Sequence, residues 1–180
     1  NDGDTFWHIA AGRWIMEHGA IPYTDPFSHT FPGAAWTSHE WLSEVVLYLA
    51  FQAAGWPGVA LLAAAIFAAV LTYLARYLLR HLEPAHALLF SILALGMVAP
   101  HLLARPHLLA MPMLVIWTGS LIRACEERRT PPLWLLGVMV VWANLHGGFT
   151  LGIALAAAFG IEAVYAARDR GERLVVGKRW

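Results

Sequence analysis

The chain has 180 residues, of which 59% are hydrophobic and 13% charged, and its formal net charge is zero. An ordinary soluble domain is about 25% charged, so the composition excludes a well-solvated globule, and the zero balance gives nucleic acid or an acidic partner no electrostatic attraction. The single cysteine, Cys125, excludes an internal disulfide, and no metal-ligand spacing surrounds it.

The chain opens at Asn1 without the charged, apolar and small-residue succession of a signal peptide, and closes at Lys178, Arg179 and Trp180. It is expected to be a fragment, preceded by one transmembrane helix and followed by several more. From Asp4 to His18 the apolar residues Phe6, Trp7, Ala10, Ala11 and Trp14 recur at helical spacing, and Arg13 and Glu17 form an i,i+4 pair on another face. This predicts a helix lying in the membrane interface and ended by Gly19. The run from Ile21 to Pro26 reads as turn and extended chain. A second interfacial helix is expected from Thr37, where Thr37 and Glu40 fit a capping box, to Gly55.

Beyond this point five apolar stretches approach the roughly 20 residues needed to cross about 30 Å of hydrocarbon. They run from Pro57 to Leu79, Ala85 to Ala104, Pro106 to Ile122, Pro132 to Leu145 and Phe149 to Ala167. The fourth is short and meets the fifth at His146, Gly147 and Gly148, where a tight turn or broken helix is expected. The predicted fold class is therefore all-α, a polytopic transmembrane bundle of about five spans with an external loop carrying interfacial amphipathic helices. Residues 1–56 form that loop, 57–167 the transmembrane helices and 168–180 a truncated cytoplasmic loop.

Orientation follows from the lysine and arginine bias of short loops. Arg76 and Arg80, then Arg123, Arg128 and Arg129, then Arg168, Arg170, Arg173, Lys178 and Arg179 fall on one side, which is assigned to the cytoplasm. The opposite side holds only Arg13 and Arg105, and it collects Asp2, Asp4, His8, Asp25, His29, His39, Glu40, Glu44, His101, His107, Asn144 and His146. Ionisable groups near hydrocarbon are costly and mark sites for ions, protons or anionic substrates.

Each has a plainer reading beside the functional one. Asp4 and His8 are an i,i+4 pair suited to a divalent cation or a reacting hydroxyl, while Asp4 alone would serve as a helix cap. Asp25 before Pro26 is a turn residue or a site residue. Glu40 is a capping-box partner or, with His39, part of a binding surface. Arg105 opens a helix at Pro106 between His101 and His107, where a guanidinium suits phosphate or snorkels to headgroups. No acid lies near it in sequence, so its partner is a carboxylate of the outer loop or a lipid phosphate. Asn144 and His146 line the same cavity or satisfy a helix end, and Trp7, Trp14, Trp36, Trp41 and Trp56 read as interface anchors.

The order of these features resembles the N-terminal part of membrane glycosyltransferases of the GT-C superfamily, which include the oligosaccharyltransferase catalytic subunit and the protein mannosyltransferase and aminoarabinose transferase group. The stretch from Asp2 to His8, with Glu17 to Gly19, Pro22, Asp25 and Pro26, looks like the first external loop of the oligosaccharyltransferase subunit. His39 to Leu42 stands in the place of the H-P-P-L-like motif of the mannosyltransferase group, Ala104 to Pro106 resembles its A-R-P/S segment, and Asn144 to Gly148 sits where it often has a T-K-G-P-like turn. The resemblance covers nearly the whole chain and rests on order and topology. Glu40 and Trp41 replace the H-P-P-L prolines, and no second acidic motif surrounds Arg105.

The resemblance implies a bacterial cytoplasmic (inner) membrane enzyme that transfers sugar from a polyprenyl-phosphate donor at its periplasmic or extracellular face. It implies Asp4 or Asp2 as base or metal ligand, with Mg or Mn as the candidate cation held by Asp4 and His8. Arg105, His8, His39, Glu40, His107, His146 and Asn144 are the candidate substrate-binding residues; the sugar and acceptor are open. A transporter or lipid flippase using the same cluster as a substrate or proton pathway is the second expectation, and a noncatalytic scaffold subunit the third.

Overall fold

The computed structural model describes residues 3–99, 103–167, 170–177 and 180. Among them it is all-helical, with seven helices and no β-strand: α1 (Gly3–His18), α2 (Trp41–Leu78), α3 (Pro84–Val98), α4 (Pro106–Glu126), α5 (Trp134–Leu145), α6 (Phe149–Tyr165) and α7 (Arg170–Gly177). Asp2, His101, Arg168, Lys178 and Arg179 lie outside the described residues.

Helix α1 ends where its sequence dictates. Gly19 takes φ +63°, a value that favours glycine, and its N–H closes on the Ile15 carbonyl at 2.8 Å. Arg13 donates from Nε to Glu17 Oε1 at 2.7 Å. The buried face differs from the expected apolar stripe. Thr5, His8, Ile9, Ala11, Gly12 and Ile15 are buried, so Ala11 of the expected stripe turns inward, whereas Phe6 and Trp7 are exposed. The stripe through Phe6 and Trp14 misleads because α1 packs on α2 through a face of small and polar residues. At Gly12 the two backbones come so close that an added β-carbon would run into the Glu44 carbonyl.

Residues 20–40 form a stapled excursion. Asp25 Oδ1 accepts from the Phe27 and Ser28 N–H groups at 2.8 and 3.0 Å, an Asx-type turn, and Thr24 pairs with Ala35 in an isolated antiparallel bridge. Asp25 therefore spends one carboxylate oxygen on its own turn. The expected capping box does not form. Helix α2 starts at Trp41, Glu40 has φ −106° with no side-chain cap, and the neighbouring Ser38 hydroxyl turns to Glu44 instead.

The expected second interfacial helix and first span are joined in α2 and separated by a kink. Ala54 (φ −148°) and Gly55 (φ +62°) leave the helical region just before Pro57, whose ring would clash in an uninterrupted helix. Phe51 and Trp56 meet edge to face across the bend at 5.3 Å, and Val59 folds back beside Leu47 in one cluster.

Among the described residues two helices are long and apolar enough to cross a membrane: α2, with mean hydropathy 2.3, and α4, with 1.6. Only 6% of the most apolar stretch of α2 is buried, whereas a soluble core helix of that composition would be hidden. Helices α3, α5 and α6 are apolar but shorter, and α5, with 12 residues, is only about 18 Å long at ~1.5 Å per residue. Leu61, Leu88, Val140 and Ile161 stand exposed on α2, α3, α5 and α6, a distribution that suits hydrocarbon.

Two clusters hold the bundle. At one end Ile9, Leu47, Val59, Leu109 and Leu145 join α1, both arms of α2, α4 and α5. Further along, Ala110, Trp117, Leu121, Leu135 and Trp142 join α4 to α5, with Phe149 and Phe159 of α6 against them. Trp117 Nε1 donates to the Gly152 carbonyl at 2.8 Å, which pins α6 to α4. The start of α4, the end of α5 and the start of α6 thus share one end of the bundle with α1.

Candidate functional site

At that end four segments bring their polar side chains together. Helix α1 presents Asp4 and His8 one turn apart, α2 presents Glu44 from its first turn, Arg105 immediately precedes α4, and the α5–α6 turn carries His146. Pro106 at the first position of α4 fixes the helix start, since its missing N–H costs nothing there, so Arg105 is held extended at the helix mouth (φ −120°, ψ 165°).

Arg105 Nε lies 3.2 Å from Asp4 Oδ2, with both side chains about two-fifths exposed. The same carboxylate oxygen is 3.8 Å from His8 Nε2. Behind His8, Nδ1 is 3.5 Å from Glu44 Oε1, and Glu44 Oε2 accepts from the Ser38 hydroxyl. The result is a line of contacts, Arg105 to Asp4 to His8 to Glu44 to Ser38, running from solvent into the core. Glu44 and Ser38 are almost fully buried. Of the two partners expected for Arg105, the structure shows a carboxylate, that of Asp4.

A second group sits beside it. Glu40 Oε1 is 3.5 Å from His146 Nε2 and 3.7 Å from His39 Nε2, and the His146 ring centre is 6.4 Å from that of His107. His146 Nδ1 accepts from the Gly148 N–H at 2.8 Å, so the neutral ring carries its proton on Nε2, toward Glu40. Burial is the chief cause that lowers the His146 pKa from its ordinary 6.5; Glu40 opposes the shift, and His107, His39 and His8 add to it. A neutral imidazole also keeps the Gly148 bond, which a protonated Nδ1 would lose.

Asn144 is used as a latch. Its Oδ1 accepts from Trp41 Nε1 at 2.6 Å and its Nδ2 donates to the Val140 carbonyl at 2.7 Å. Ser43 donates to the Leu145 carbonyl at 2.6 Å, so the start of α2 is tied twice to the end of α5. Trp41 is therefore an interhelical strut as well as an aromatic at the bundle end.

Sequence reading named Asp4, His8, Arg105, Glu40, His39, His107 and His146 as candidates, and these converge. Glu44 belongs by sequence to the same outer polar group but not to the named candidates, and Ser38 and Ser43 carry no site signal of their own. The signal for Glu44 was present: it is the only acid between Trp41 and Leu82, four residues after Glu40.

The described residues do not suit a divalent cation. Asp4 and His8 supply two donors, but the Arg105 guanidinium already neutralises the Asp4 oxygen that faces His8 and would repel a metal there. Among the described residues no group of three or more histidine, cysteine or acidic side chains converges as a metal cage.

An apolar groove of about 590 Å³ begins next to this line. Thr5, Leu103 and Ala104 form its head, each adjacent in sequence to Asp4 or within two residues of Arg105, and Val59, Ala60, Ala63, Ala64 and Phe67 of α2 form its wall along the bundle. Comparison with known protein families, curated proteins and solved structures gave no match.

Proposed function

We propose that the protein is an integral membrane glycosyltransferase that moves sugar from a polyprenyl-phosphate donor to an acceptor at the outer face of the cytoplasmic membrane. The observation that carries this reading is the Arg105 and Asp4 pair, whose sequence neighbours Ala104 and Thr5 line the apolar groove along α2. A lipid-linked donor needs an apolar channel for its chain, a cation where the phosphate leaves and a base where the acceptor enters. In this reading the groove takes the chain, Arg105 the phosphate and Asp4 the acceptor proton.

In the proposed reaction the acceptor O–H or N–H loses its proton to the Asp4 carboxylate while its lone pair forms the new bond to the sugar's anomeric carbon. The bond from that carbon to the phosphate oxygen breaks, and its electron pair leaves on the phosphate, whose added charge Arg105 meets with a planar two-pronged donor. His39, Glu40, His107 and His146 form the adjoining polar wall and bind the sugar and acceptor hydroxyls. The proposal includes five spans, namely the second arm of α2, α3, α4, α5 and α6, with residues before Pro57 outside. A transporter would instead hold ionisable groups midway along its spans, whereas Glu44 and His8 lie at one end of the bundle.

The test is turnover of polyprenyl-phosphate sugars by purified full-length protein in lipid nanodiscs. Arg105→Lys is expected to keep the charge and lose at least about tenfold in donor kcat/KM, since a point charge cannot replace the bidentate fork. Equal turnover by the lysine variant would reduce Arg105 to a headgroup anchor and remove the phosphate site.

A further inference from the structure

Glu44 is a carboxylate only 3% exposed in the first turn of a largely apolar helix, a costly placement that its neighbours must compensate. One oxygen is met by the Ser38 hydroxyl. The other faces His8 Nδ1 at 3.5 Å, and that nitrogen is buried with no hydrogen-bond partner among the described residues. The two groups are thus within ion-pair distance but short of a formed hydrogen bond at Nδ1, a spacing common in resting catalytic pairs, which tighten when substrate binds. The opposite ring nitrogen, Nε2, looks toward Asp4 at 3.8 Å. Gly12 makes the approach possible, because any side chain there would push α1 off the Glu44 backbone.

We propose that Glu44 is a positioning residue that fixes His8 with its proton on Nδ1 and its free Nε2 toward Asp4, so that His8 takes over the proton Asp4 removes from the acceptor. The inference rests on the glycosyl-transfer reading and adds to it the route of the proton. A carboxylate behind a histidine sets the tautomer and stabilises the imidazolium that forms, and it does not itself take the proton. The balance closes: the acceptor proton passes to Asp4, then to His8 Nε2, while Glu44 offsets the new charge. The charged and titratable groups around His8 are Asp4 on its own helix, Glu44 on α2, Arg105 through Asp4, and His146 at the α5–α6 turn.

Glu44→Gln tests this with little change of shape. Its amide oxygen still receives the Ser38 hydroxyl, and its NH2 then faces His8 Nδ1 as a donor, which reverses the tautomer. Nitrogen-15 NMR of His8 in the full-length protein is expected to show Nδ1–H in the wild type and Nε2–H in Glu44→Gln, with turnover of polyprenyl-phosphate sugar falling by about a hundredfold and partly restored in Glu44→Asp. Ser38→Ala, which leaves the carboxylate in place, is expected to lose less. An unchanged tautomer, or unchanged turnover in Glu44→Gln, overturns the proposal. A wild type with the Nδ1–H tautomer but inert toward every polyprenyl-phosphate sugar supports the lock on His8 and overturns the transfer reading instead.

Discussion

Asp4 carries two demands on one oxygen, since Arg105 and His8 both approach Oδ2. Its neutral replacement, Asp4→Asn, keeps the size and loses both attractions. Transfer is expected to fall by about 10²- to 10⁴-fold, the range of a lost general base, while the variant still fractionates with the membrane. Wild-type activity in Asp4→Asn would leave the residue only a favourable charge in the first turn of α1. His146 gives a second expectation. Its pKa is lowered in the folded protein, so below 6.5 the unfolded chain binds a proton that the folded one resists, and stability falls as pH drops through 6.5 toward the lowered value. Thermal melts of the purified protein between pH 7 and 5 should show this loss, and His146→Gln should flatten it; an equal slope in the variant would assign the acid sensitivity elsewhere.

At the scale of elements, the contact of α1 with α2 decides whether the site assembles, because Asp4 and His8 ride on one helix and Glu44 on the other. Gly12→Val would drive its β-carbon into the Glu44 carbonyl and the Tyr48 side chain. Overpacking of this kind costs about 1 to 3 kcal/mol, and a lower melting temperature together with loss of the His8 tautomer signal is expected; an unchanged signal would show that α1 can shift without disturbing the site. This is also where sequence reading reached its limit. Helix ends were legible because they depend on single local residues, Gly19 and Pro106 among them. The Arg13 and Glu17 pair was legible because it lies within one helix. The capping box at Thr37 was not, since Ser38 is drawn to Glu44, six residues away, and the box competes with a tertiary bond. Most of the buried face of α1 was hidden for a related reason: a close helix crossing selects small residues such as Thr5 and Gly12, which carry little hydropathy signal. Asn144 was legible as polar at a helix end but not as the partner of Trp41, 103 residues distant.

The whole molecule has two unlike ends. Tyr73 of α2 packs against Gly119 of α4, and Cys125 donates weakly to the Phe159 carbonyl of α6 at 3.8 Å, so Arg76, Arg80, Arg123, Arg128 and Arg129 gather away from the Asp4, Glu44 and His146 end. Between Pro106 and Ile122 the sequence has no aspartate, glutamate, lysine or arginine, and the 21 residues of α4 extend about 30 Å, the thickness of hydrocarbon. The stretch from Trp56 to Ala75 is equally free of charge. The proposed orientation puts the arginine-rich end in the cytoplasm and the acidic and histidine-rich end outside, on the ground that positively charged short loops are retained. The orientation can be read with one exposed residue at each end. Thr30 lies in the stapled excursion after α1, and Arg128 follows α4. With Cys125 replaced by serine, Thr30→Cys is expected to react with an impermeant maleimide in intact cells, and Arg128→Cys only after the membrane is opened. Labelling of Arg128→Cys in intact cells would invert the bundle and place the Arg105 and Asp4 pair on the cytoplasmic side, where an outer-face transfer reaction could not occur.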